Sequence, residues 1–96
     1  MDIDEVSNPE IVLKKAKKYL GKNVIISLST RKNKKYMVFN PNTDKWVHFG
    51  NLNYEDYTKH NDEERRQRYL RRATKIKGNW QENKYSPNNL AIHLLW

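Results

Sequence analysis

The chain has 96 residues, 36% of them hydrophobic and none of them cysteine, and it carries a formal net charge of +8. That length supports one domain with one modest core and leaves no room for a deep two-layered cleft. Without thiols there is no disulfide framework and no thiolate zinc site, so a small secreted domain is not expected.

Residues 1–7 are acidic and hold no apolar run, so neither a signal peptide nor an ordered element is expected there. We expect a flexible segment, and a soluble chain, since no stretch approaches the ~20 apolar residues of a membrane span. The spacing then predicts a helix over residues 8–21. Asn8 suits the N-cap, Pro9 the first helical position, Glu10 the positive end of the dipole and Gly21 the C-terminal left-handed position. Val12, Ala16, Tyr19 and Leu20 fall on one face of it, and Lys14, Lys15, Lys18 and Lys22 on the other.

Residues 24–49 read as an antiparallel three-stranded meander. Val24 to Thr30 alternates, with Val24, Ile26 and Leu28 on one side. Lys35 to Asn40 carries Tyr36, Met37, Val38 and Phe39, and after the turn formers Asn40-Pro41-Asn42-Thr43-Asp44 comes a short strand, Lys45 to Phe49. Gly50 to Asn61 reads as a loop. A second helix is predicted over 62–76, capped by Asn61 or Asp62 and stopping before Gly78. Its inward stripe is Tyr69, Leu70, Ala73 and Ile76, with Arg68, Arg71, Arg72 and Lys75 projecting on the other side. Residues 86–96 open with Ser86-Pro87 and become apolar from Leu90 to Trp96. This segment fits a helix or a strand equally well, and in either form it must be buried. The fold class expected is α+β: a small antiparallel three-stranded sheet, an N-terminal amphipathic helix, and a basic helix plus a short C-terminal element packed against it.

Charge is segregated along the chain. Residues 1–13 hold four acids and no base, residues 14–35 nine bases and no acid, and Arg65 to Lys84 eight bases against Glu82. Such blocks attract polyanions, of which nucleic acid is the commonest. The candidate contact residues are therefore Lys14, Lys15, Lys18 and Lys22 on one helix and Arg68, Arg71, Arg72 and Lys75 on the other. Arginine's planar fork suits phosphate. The plainer alternative is a solvated surface, but it leaves unexplained why acids avoid both blocks.

Tyr36, Trp46, Tyr54 and Tyr57 could stack on unpaired bases, although Tyr36 and Trp46 are more simply sheet core. His48, Glu55, Asp56, His60 and Asp62 lie close enough in sequence to suggest a metal or acid–base site. Their spacing matches no known ligand pattern, and helix capping explains Asp62 more simply. Gly21, Gly50 and Gly78 are too far apart for a phosphate-cradling loop. No enzyme, metal or cofactor is expected.

Four stretches carry a resemblance: Lys34-Lys35-Tyr36-Met37-Val38; Lys45-Trp46-Val47-His48-Phe49-Gly50; Tyr54-Glu55-Asp56-Tyr57-Thr58-Lys59-His60; and Arg65-Arg66-Gln67-Arg68-Tyr69-Leu70-Arg71-Arg72. With Trp80 and the final Leu94-Leu95-Trp96, they make residues 34–96 resemble a family of small basic proteins of nucleocytoplasmic large DNA viruses, the giant viruses and their relatives. Where that family often has a histidine after its Y-L-x-R run, this chain has Ala73 and Thr74. The resemblance implies a viral, virion-associated protein located in the particle, the viral factory of the host cytoplasm, or the nucleus. The expectation is therefore a DNA-binding, genome-packaging protein with little sequence preference. The alternative is a minor capsid protein gripping acidic protein or membrane surfaces. Leu94, Leu95 and Trp96 are expected to anchor either the chain's own core or a homodimer.

Overall fold

The computed structural model describes residues 2–96. Helix α1 spans Pro9–Leu20 and is opened by the Asn8 side chain, which accepts from the Ile11 N–H, and closed by Gly21 at φ 111°. Three strands follow, β1 Ile26–Leu28, β2 Lys34–Asn40 and β3 Lys45–Asn51. They form an antiparallel sheet in the order β1-β2-β3, the α+β meander expected. The predicted loop contains one helical turn, α2 (Tyr57–His60), capped by Asp56. Helix α3 spans Glu63–Ala73, with the Asp62 carboxylate accepting from the Glu64 and Arg65 N–H groups. A single 3-10 turn covers Trp80–Glu82.

The C-terminal segment is helical. Helix α4 (Pro87–Leu90), capped by the Ser86 hydroxyl, runs directly into a π-helical stretch over Ala91–Leu95. Helical winding turns several of its apolar side chains into the core, whereas a strand would present alternate ones. Leu90, Ala91, Leu94 and Leu95 pack with Val12 and Ala16 of α1 and with Tyr36, Val38 and Phe49 of the sheet. Each fully buried leucine or phenylalanine is worth about 1.5–3 kcal/mol. Leu94 is 0% exposed and Leu95 1%, so both belong to the chain's own core.

Strand pairing divides the sheet into two faces. Tyr36 pairs with Phe49 and Val38 with Val47, side chains that belong to the core or pack against it. The other face carries Met37 opposite His48 and Phe39 opposite Trp46, and these four side chains lie outside the core cluster. Trp46, expected in the sheet core, is 40% exposed there, edge-on to Phe39 at 5.5 Å. Leu28, the last residue of the short edge strand β1, is likewise exposed.

Gly50 illustrates how tightly the hairpin meets the C-terminal helix. Its φ is +85°, and a Cβ there would stand 3.0 Å from Leu95 Cδ1 and 3.0 Å from Lys35 Cβ. Glycine alone fits both the dihedral and the space. The N-terminal residues also differ from expectation. Ile3–Glu5 form a 3-10 turn, and Val6 and Ser7 are buried by hydrogen bonds described below.

Candidate nucleic-acid interface

One lysine is treated unlike all the others. Lys35 is 3% exposed, and its Nζ donates to Asp56 Oδ2 at 3.0 Å and to the Val6 carbonyl at 3.2 Å. Asp56, 1% exposed, also accepts at Oδ1 from the Thr58 N–H (3.0 Å) and the Thr58 hydroxyl. The relay continues outward: Tyr36 OH donates to Ser7 Oγ at 2.8 Å, and Ser7 Oγ lies 3.3 Å from Thr58 Oγ1. The Asn8 N–H donates to Thr58 Oγ1 and the Asp56 N–H to the Val6 carbonyl, which fastens the N-terminal segment to the sheet. Burial lowers the Lys35 ammonium below the ordinary lysine value, and the Asp56 charge and hydrogen bond recover part of that shift. Burial likewise pushes the Tyr36 hydroxyl up to about 12.

The rest of the suspected metal or acid–base patch has equally local roles. Asp62 caps α3. Its own N–H donates to His60 Nδ1 at 2.9 Å, and Ser29 Oγ meets His48 Nδ1 at 2.7 Å. Glu55 pairs with Arg65 at the surface. No group of three or more metal-ligating side chains gathers among the described residues.

The eight predicted contact residues are solvent-facing, with Lys15 half-buried. Burial, and then the positive charge of Arg66, lower the Lys15 ammonium below the ordinary lysine value. On α3, Arg66 and Tyr69 turn inward. Arg66 Nε donates to the Trp96 main-chain oxygen at 2.8 Å, and the Tyr69 ring stacks on Trp96 with centroids 4.2 Å apart. That anchoring directs Arg65, Arg68 and Arg72 over a groove of about 710 Å³ between α3, the end of the β2–β3 hairpin and the C-terminal helix. No α1 residue lines it among those described.

Two sequence expectations on α3 need correction. Helix α3 ends at Ala73, with the Thr74 hydroxyl donating to the Leu70 carbonyl at 2.6 Å, so Lys75 lies in the following turn instead of on the helical face. Ile76, expected inward, is 53% exposed at the groove's edge for the same reason. Of the aromatics, Tyr36 is core, Tyr57 lies under the Arg66 guanidinium at 5.4 Å, and Tyr54 is 65% exposed beside the groove.

The sequence model of DUF5754, a family of unknown function, matches residues 24–73, just over half of the chain. The chain belongs to that family. The DUF5754 region contains all three strands, the Lys35–Asp56 pair and α3 with its arginines, and it ends at Ala73. Helix α1, the Ser7 anchor and the Trp96 stack lie outside it. No curated protein and no solved structure matches the chain.

Sequence reasoning missed the groove residues Lys34, Arg65 and Tyr69 and the Lys35–Asp56 pair. For the pair, one signal was available: a lysine inside a strand dense in aromatic and β-branched residues sits where solvent is scarce, and it then needs an acid.

Proposed function

We propose that this chain binds nucleic acid, DNA rather than RNA, through phosphate contacts with little sequence preference. We further propose that it does so as a virion-associated protein of a large DNA virus, in the particle and in the viral factory or nucleus of the host cell. The observation that carries the binding reading is a set of exposed cations without acidic partners. Among the described residues, Lys14, Lys18, Lys22, Arg71, Arg72 and Lys75 form no ion pair, and Arg68 has one long, exposed contact with Glu64 at 3.6 Å. A fold that neutralises its one buried lysine so fully, yet leaves these cations unpaired, retains a surface suited to polyanions. The viral setting rests on the resemblance of residues 34–96. The test is binding to two mixed-sequence duplexes of unrelated sequence. The expected result is similar affinity for both and a steep fall as salt rises; no binding at low salt refutes the reading.

A second reading, a minor capsid or other structural virion protein, is favoured by the open sheet face, where Trp46 and Ile25 are exposed beside Phe39. Such a protein would remain with capsid shells stripped of DNA, whereas a genome binder would leave with the DNA.

A further inference from the structure

The groove under α3 has a character that phosphate contacts alone do not require. Its floor is apolar, formed by Phe49, Ala73, Ala91 and Leu95, and its edge carries Lys34, Arg65, Arg68 and Arg72 against the single acid Glu55. Glu55 is already engaged with Arg65 at 3.9 Å, so the net field over the opening is positive. At about 710 Å³ it falls within the roughly 300–1,000 Å³ common for sites that hold a small organic group. Tyr54, 65% exposed, stands at the edge, and the Tyr69–Trp96 stack closes one end. Amide groups are also present. Asn51 Oδ1 accepts from the Asn53 N–H, leaving its own amide N–H groups to offer, and Asn88 Nδ2 donates to the Ala73 carbonyl, leaving its Oδ1.

We propose that this groove receives an unpaired nucleotide of a single-stranded nucleic acid, with the base against Tyr54 and the apolar floor and the flanking phosphates on Arg68 and Arg72. The proposal rests on the nucleic-acid reading above and adds a preferred state of the ligand. An anion is selected by the edge, a flat apolar body by the floor and aromatics, and hydrogen-bonding edges by the asparagines. A base with its phosphates has all three properties. Arg68 and Arg72, one helical turn apart, are separated by about 6 Å along α3, within the span of two successive nucleotides of a strand. A duplex keeps its bases stacked inside and cannot enter a recess of this size without extruding one.

The test is fluorescence anisotropy with a labelled mixed-sequence DNA 12-mer, single-stranded and as its duplex, at one salt concentration. Wild type is compared with Tyr54→Ala and Tyr54→Phe. Tyr54 is exposed, and unchanged duplex binding reports that the variant is folded. Loss of one stacking partner should weaken single-strand binding by about 10-fold in Tyr54→Ala, with duplex binding unchanged and Tyr54→Phe like wild type. If Tyr54→Ala leaves single-strand binding within twofold of wild type, or weakens strand and duplex alike, the groove does not hold a base, although phosphate binding stands. If neither form of DNA binds wild type, both readings fall. In that case, binding to vesicles of anionic phospholipid that Tyr54→Ala abolishes would assign the groove to a lipid.

Discussion

Lys35 and the arginines of α3 carry the same charge, but their surroundings assign them opposite tasks. Lys35 is enclosed, with a carboxylate and a carbonyl on its ammonium, and it ties the hairpin to α2 and to the N-terminal segment. Arg68, Arg71 and Arg72 stand in solvent on a helix whose inward contacts are made by Arg66 and Tyr69. A buried charge is costly to leave unpaired, so its removal should be felt in folding. An exposed one is stabilised by water, so its removal should be felt only in binding.

The largest effect expected is at Asp56. Asp56→Ala strands the Lys35 ammonium and removes the α2 cap, and it should destabilise the fold by about 3–5 kcal/mol in urea unfolding. A loss below about 1 kcal/mol, the level of an exposed pair, would erase the distinction between the two regions. Gly50→Ala comes next. A methyl at φ +85° must displace Leu95 or Lys35, with an expected cost of about 1–3 kcal/mol. An unchanged unfolding midpoint would mean that the hairpin and C-terminal helix are not packed as described.

A smaller effect is expected with pH. Burial lowers all three imidazoles below the ordinary value of 6.5, helped by Arg31 and Lys34 at His48, Arg65 at His60 and Lys84 at His93. Because the folded values lie below the unfolded one, their contribution is complete above pH 6.5 and is lost as pH falls through the folded values. At His60 the reason is visible: protonation of Nδ1 removes the acceptor of the Asp62 N–H that joins α2 to α3. The thermal midpoint should therefore drop between pH 7 and 5, and His60→Asn should flatten part of that drop. A profile rising toward acid would contradict the account.

Much of this fold was legible in the sequence. Asn8-Pro9, Asp62 and Ser86-Pro87 announce helix starts because their short side chains satisfy the free N–H groups of a first turn. The meander was legible from alternation and from the turn at residues 40–44. The C-terminal element was not, because with nearly every position apolar neither period leaves a trace. The end of α3 was hidden because the helix stops at Ala73, well before Gly78, with no glycine or proline to mark the place. Trp46 was misplaced because an aromatic in a strand does not announce which face the helices cover. Of the candidate site, exposed cations are legible as a block. The groove is not, since it joins Lys34, Tyr54 and Arg72 across elements that only the fold brings together.

The central claim is that the α3 arginines serve binding and not folding. The most direct measurement is the salt dependence of affinity for a random-sequence DNA duplex, wild type beside the variant with Arg68, Arg71 and Arg72 all changed to alanine. Its companion is the thermal midpoint of each. The account predicts that the slope of log affinity against log salt flattens by about two to three units, while each substitution changes stability by no more than about 0.5 kcal/mol. An unchanged slope, or a variant that binds less because it unfolds, would contradict it.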